Sequence, residues 1–191
     1  MFSHYSELNV DNSFICDCRV LAAYRFSVMS QVQKDKKMIT FYLAETDNDY
    51  TNAKILYKEY AATIMINLDF QHFDDELDNL RRMYAKPYGG IILATDNKEI
   101  VGCVAIRKFN ATTAELKRMY IKPAYQNKGI GKSLLHEAIQ LATKYNYSLI
   151  KLDTLNSMDK AIHLYKLAGF YETPPYYENP ISTAVYFEKV I

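Results

Sequence analysis

A strand that ends at a proline, a loop with two glycines and a helix follow one another without a break in Met119-Tyr-Ile-Lys-Pro-Ala-Tyr-Gln-Asn-Lys-Gly-Ile-Gly-Lys-Ser-Leu-Leu135. No other stretch constrains the fold as much. The helix, from about Gly131 to Tyr145, carries Leu134, Leu135, Ala138, Ile139 and Ala142 on one stripe, which demands an apolar surface to lie against. Its first turn offers N–H groups without partners and a partial positive charge, which together favour a phosphate. Gly129 and Gly131 let the backbone bend into a nest and let a bulky anion come close. Lys128 and Lys132 add mobile positive charge.

Around this junction the chain alternates strand-like and helix-like segments from Met38 onward. Ile39 to Ala44 reads as a strand, and Asp49 to Ile66 as a helix with Ala53, Leu56, Tyr57, Tyr60 and Ile64 on its buried face. Asp74 to Tyr84 reads as a second helix, with Asp74, Asp75 and Glu76 in the first turn where the macrodipole favours them. Three strands follow, Ile91 to Thr95, Ile100 to Arg107 and Ala114 to Ile121, the first two joined by a hairpin turn at Asp96-Asn-Lys-Glu99. Beyond the long helix come a strand at Ser148 to Leu152, a helix at Asp159 to Ala168 stopped by Gly169, and strands at Phe170 to Glu172 and Ala184 to Val190. Hairpins mixed with a crossover predict an α/β fold, a mixed sheet with helices on both faces. Residues 1–37 have weak periodicity and a polar end, so they are expected to be an N-terminal appendage, or sequence upstream of a start at Met38; residues 38–191 are the domain.

Composition excludes several classes. The formal net charge of +1 gives the chain no general attraction to nucleic acid or an anionic membrane. Cys16, Cys18 and Cys103 form no zinc pattern, and His4, His72, His136 and His163 lack metal-ligand spacing, so no metal is expected. No run reaches the roughly 18 apolar residues that span a bilayer. Asp17, Arg19 and Arg25 interrupt the nearest thing to a signal core, and the expected location is the cytoplasm.

The loop is not one of the common nucleotide loops. Gly131-Lys132-Ser133 imitates the end of a Walker A loop, but Gln126 stands where its first glycine belongs. A dinucleotide fingerprint needs glycine or alanine where Leu134 stands. The stretch instead resembles the acetyl-CoA loop of the GNAT superfamily, whose pattern of Arg or Gln, two residues, Gly, one residue, Gly or Ala is met by Gln126, Gly129 and Gly131. The resemblance extends through Glu115-Leu-Lys-Arg-Met-Tyr-Ile-Lys-Pro123 and through Ala161-Ile-His-Leu-Tyr-Lys-Leu-Ala-Gly-Phe170.

That resemblance implies a mostly antiparallel sheet whose fourth and fifth strands splay apart to hold the thioester of acetyl-CoA. The backbone of Met119, Tyr120 and Ile121 would pair with the pantetheine arm, and Gln126, Asn127, Lys128, Gly129, Ile130, Gly131 and Lys132 would hold the pyrophosphate. Tyr165, in the Leu-Tyr signature, would give a proton to the leaving thiolate, unless its ring only packs on the core. Glu115 would be the general base, directly or through a water; its alternative is a strand carboxylate paired with Lys117 or Arg118. Met158 departs from the Asn that many members carry there, and Asn156 is the nearby residue expected to touch the pantetheine.

The resemblance implies an acyltransferase that moves an acetyl group to a primary amine of a small molecule or peptide. An acyl-CoA-binding sensor with little catalysis is the other reading. The acceptor site would lie between roughly Ile66 to Asp75 and Thr173 to Thr183, where Asp69, Asp74, Asp75 and Glu76 could attract a cationic amine. The sequence leaves open a homodimer through the exposed face of the C-terminal strands.

Overall fold

The computed structural model describes residues 38–64 and 72–191. Expectations placed on residues 1–37, and on Asp69, lie outside the described residues. Strand β1 (Ile39–Leu43) leads into helix α1 (Asp47–Ile64), then two short helices, α2 (Phe73–Asp78) and α3 (Leu80–Met83). Strands β2 (Gly90–Asp96), β3 (Glu99–Lys108) and β4 (Thr113–Ile121) follow, then a 3-10 turn at Pro123–Tyr125 and helix α4 (Ile130–Lys144). Strand β5 (Leu149–Leu155), helix α5 (Asp159–Leu167) and strands β6 (Tyr171–Thr173) and β7 (Ala184–Val190) complete the chain.

The seven strands form one sheet in the order β1-β2-β3-β4-β5-β7-β6. All neighbours are antiparallel except β4 and β5. One apolar layer lies under α4 and α5 and includes Leu116, Leu134, Leu135, Ala138, Ile150, Leu152 and Phe187. The other lies under α1, α2 and α3 and includes Leu56, Tyr57, Leu80, Tyr84, Leu93 and Cys103. Helices therefore cover both faces, as the mixed pattern predicts. No helix among the described residues is long and apolar enough to cross a membrane.

Two helix boundaries differ from the sequence reading. Helix α1 begins at Asp47 because Thr46 and Asp49 form a reciprocal cap. The Asp49 carboxylate accepts from the N–H groups of Glu45 and Thr46 at 3.1 and 2.9 Å, and the Thr46 hydroxyl accepts from Asp49 N–H at 3.2 Å. The single helix expected over Asp74 to Tyr84 is broken at Asn79, whose φ of −122° is not helical. Its side-chain amide donates to the Asp75 carbonyl at 2.9 Å, the local bond that makes asparagine a helix breaker.

The sheet opens between β4 and β5. They pair over Thr113↔Leu149, Ala114↔Ile150 and Glu115↔Lys151, and the ladder stops there. The cause is a bulge in β4. Cys103 faces Tyr120 and Ala105 faces Lys117, so β3 takes two steps (105 − 103) where β4 takes three (120 − 117). Arg118 absorbs the extra residue with φ of 54°, a left-handed value that costs a non-glycine residue roughly 1–2 kcal/mol. Glu76 on α2 holds it in place. Its carboxylate accepts three hydrogen bonds from the Arg118 guanidinium, at 3.2, 3.1 and 2.5 Å, and one from the Tyr84 hydroxyl at 2.5 Å. Phe73 lies over the guanidinium at 5.0 Å. Glu76 is thus not a free attractant for a cationic amine; a buried arginine already neutralises it.

Candidate functional site

The gap left by the bulge is lined on β4 by Lys117 and Met119, on β5 by Asp153 and Thr154, and beyond them by Met158 and Tyr165. Gly129, with φ of 80°, is the N-cap of α4, and no side chain caps the helix. Asn127 is also left-handed, at φ 60°, so loop and helix start form a turn of exposed backbone. The first bond of the helix runs from Ser133 N–H to the Gly129 carbonyl at 3.2 Å. The N–H groups of Ile130, Gly131 and Lys132 therefore precede the ladder, and two conditions for holding an anion coincide there.

Gly131 serves a different purpose from Gly129. A Cβ at 129 would meet nothing within 4 Å, so the requirement there is conformational. A Cβ at 131 would come within 3.2 Å of Ile121 and 3.4 Å of both Met119 and Leu164, so the requirement there is close packing of α4 on β4 and α5. Met119 and Ile121 face this side of the sheet, while the Tyr120 ring lies on the other, 6.2 Å from Tyr60. Gln126 donates from its amide to the Ile121 carbonyl at 3.1 Å and ties the loop to the strand end. The Lys128 ammonium donates to the Ala124 carbonyl at 2.7 Å, and Lys132 is exposed at the helix start.

Tyr165 is placed by the end of its own helix. Phe170 N–H donates to the Tyr165 carbonyl and Gly169 N–H to the Lys166 carbonyl, both at 3.0 Å. With Gly169 at φ 85°, this is a Schellman cap, and its usual apolar contact is Phe170 against Tyr165, centroids 5.9 Å apart. The Leu-Tyr to Gly-Phe signature is thus the sequence of a cap that fixes one tyrosine. The Tyr165 hydroxyl points towards the Met119 sulfur, 4.0 Å away, and burial pushes the phenol well above its ordinary pKa.

Glu115 is buried and held. The Arg107 guanidinium donates to it, with Nε at 2.8 Å and Nη2 at 2.7 Å; the Tyr176 hydroxyl donates at 3.1 Å, and the Lys117 ammonium lies 3.6 Å away. Its nearest cation is Arg107; of the two expected partners, Lys117 pairs with it at 3.6 Å and Arg118 belongs to Glu76. The Glu115 oxygens are therefore already engaged by Arg107 and Tyr176 at the mouth of the gap. Asn156 is exposed in the turn after β5, its backbone N–H donating to the Thr183 carbonyl at 2.8 Å, while Thr154 and Met158 line the gap instead.

Sequence reasoning passed over Asp153. It accepts from the Lys117 ammonium at 3.1 Å and from the Tyr177 hydroxyl at 2.9 Å. Burial alone would raise its pKa, but the charge and hydrogen bond of Lys117, with Tyr177, outweigh it and hold the group below its ordinary value. Tyr176 and Tyr177 stack edge-on with Tyr186, so the loop after β6 is anchored against the sheet. Among the described residues no cluster is suited to a metal ion.

The family model of the acetyltransferase (GNAT) family matches residues 53–170. An uncharacterized N-acetyltransferase of Schizosaccharomyces pombe is 40% identical over 140 residues, which cover 72% of this chain and 86% of that protein. An acetyltransferase of Streptococcus agalactiae has a similar structure, with a TM-score of 0.66 at 20% identity over 80% of this chain and 98% of that one. A Bacillus subtilis acetyltransferase solved in complex with CoA gives 0.57 at 22% identity, over 81% and 99% of the two chains. These two structures agree on the fold, and the family model and the yeast relative agree on the lineage. By the span of the family match and the identity to that relative, this chain belongs to the GNAT family of acetyltransferases.

Proposed function

We propose that the chain transfers the acetyl group of acetyl-CoA to a primary amine of a small molecule or peptide. One observation carries the reading: an uncapped helix start, with N–H groups ahead of its ladder, stands beside a gap between two parallel strands whose wall holds the Tyr165 hydroxyl. The helix start suits a pyrophosphate. The edge of β4 beyond Glu115, free of the β5 ladder, suits an extended arm that adds to it as a strand would. The related fold solved with CoA supports the same choice of cosubstrate.

The reaction is attack of a neutral amine on a thioester carbonyl. Holding a lysine-like amine neutral at pH 7 costs roughly 4.6 kcal/mol, and an α-amine near pKa 8 roughly 1.4 kcal/mol. Tyr165 assists the leaving sulfur. A phenol raised by burial keeps its proton at neutral pH and holds it more tightly than a thiol, so it acts as a hydrogen-bond donor to the developing thiolate and not as a full acid. Glu115, held by Arg107 and Tyr176 at the mouth of the gap, is the carboxylate placed to receive the amine's proton through a water.

Calorimetric titration tests the cosubstrate. Acetyl-CoA and CoA should bind and ATP should not. Gly129→Glu, which puts a carboxylate at the helix start, should weaken acetyl-CoA binding by about 100-fold or more, because it sets like charge against the pyrophosphate. Folded wild-type protein that ignores acetyl-CoA would overturn the proposal.

A further inference from the structure

Four charges of alternating sign border the opening: Arg107 on β3, Glu115 and Lys117 on β4, and Asp153 on β5. Arg107 bonds Glu115 at 2.7 Å, Lys117 lies 3.6 Å from Glu115, and Lys117 bonds Asp153 at 3.1 Å. Their side chains are 27, 5, 6 and 11% exposed in that order. Taking such charges out of water is costly, and apolar residues of similar volume would hold two strands together at least as well. The other face of the same strands does so, with Leu116, Ile150 and Leu152. The row leads from the last paired rung, Glu115 opposite Lys151, into the place where β4 and β5 part, and two cavities border it. One lies in the gap and touches Lys117 and Asp153; the other touches Arg107, Glu115 and Lys117. Lys117 belongs to both.

We infer that the acceptor is a zwitterion of the amino-acid type, its carboxylate received by Arg107 and Lys117 and its ammonium by Asp153. The inference rests on the acetyltransferase reading above and names the substrate class for it. A polyamine has no group for the cations of the row and meets Lys117 as a like charge beside either carboxylate. A plain anion meets Glu115 and Asp153. A molecule with one charge of each sign fits the order of the row. The Tyr177 hydroxyl on Asp153 is the neutral donor that an incoming ammonium replaces, exchanging an ordinary hydrogen bond for a charge-assisted one.

The test compares L-leucine with isoamylamine, L-tyrosine with tyramine, and L-lysine with cadaverine, on wild-type protein and on Lys117→Gln and Arg107→Gln. Binding is followed by ligand-observed NMR without acetyl-CoA, and kcat/KM by CoA release with it. The amino acid should exceed its decarboxylated partner by about tenfold or more in at least one pair, and each variant should bring that ratio to within about threefold of one. Equal or better binding of the decarboxylated amines to wild type would overturn the inference, as would a preference that both variants retain. The NMR arm separates the two readings. A carboxylate preference without acetyl-CoA binding would refute the cosubstrate and leave the acceptor class standing; acetyl transfer that favours cadaverine would do the reverse.

Discussion

Tyr165→Phe separates a residue that packs from a residue that reacts. Among the described residues the hydroxyl has one hydrogen-bond partner, the Met119 sulfur at 4.0 Å, at the outer limit of a sulfur hydrogen bond. A bond that weak contributes less than the usual 0.5–1.5 kcal/mol, and removing a poorly satisfied buried hydroxyl is close to neutral. The ring keeps its contacts with Phe170 and Phe187, at 5.9 and 6.4 Å. The unfolding free energy should therefore change by less than about 1 kcal/mol, or a few degrees in Tm. Turnover is another matter. Losing one donor aimed at developing charge costs roughly 100- to 1,000-fold in kcat, or about 3–4 kcal/mol. CoA release measured by chromatography at saturating acetyl-CoA, beside a thermal melt and an acetyl-CoA titration, gives all three quantities. The expected result is a large loss of kcat with stability and acetyl-CoA affinity nearly unchanged. A Phe variant that keeps turnover within about threefold of wild type would show that the tyrosine only packs.

Glu76→Ala leaves the Arg118 guanidinium buried without its anion, which should cost about 3–5 kcal/mol and lower Tm by roughly 10 °C in a thermal melt. Acid should destabilise the fold through the same carboxylate. Burial alone would raise the Glu76 pKa, but the Arg118 bonds and charge hold it below its ordinary value, and Asp153 is lowered too. Their stabilisation is present above the unfolded pKa values near 4 and is lost as pH falls through the lower native ones. Denaturant melts should thus be flat from about pH 7 to 5 and fall steeply below about 4, and Glu76→Gln should reduce that slope.

The junction of strand, loop and helix was legible because each part is local: a proline, two glycines and a 3.6-residue stripe lie within one short stretch. Strand order and the place of the gap followed from the resemblance, not from periodicity. Of the charged partners only the neighbours Glu115 and Lys117 could be read as a pair. Glu76 and Arg118 are 42 positions apart, and Lys117 and Asp153 are 36 apart, so nothing local marks them as pairs. One trace was present. Glu115 and Lys117 alternate with Leu116 as a strand should, and then Arg118 puts a second charge directly after Lys117. Two successive charges in a buried strand break the period of two, which is the sequence mark of a bulge. Acidic residues read as a favourable first turn turned out to divide their work, with Asp74 and Asp75 at the surface and Glu76 in the core.

The gap between β4 and β5 rests on a count of residues, since β4 spends three where β3 spends two. Side-chain substitutions in this region repaint the walls of the opening and alter what enters, while the opening itself is encoded in chain length. Deleting Arg118 would return β4 to equal step with β3: Lys117 would stay opposite Ala105, Met119 would follow it on the other face in plain alternation, and the bulge would be lost. In this protein, the lining of the opening and the existence of the opening are therefore inherited through different kinds of change: the first drifts by point substitution, and the second is lost or kept in a single codon's presence.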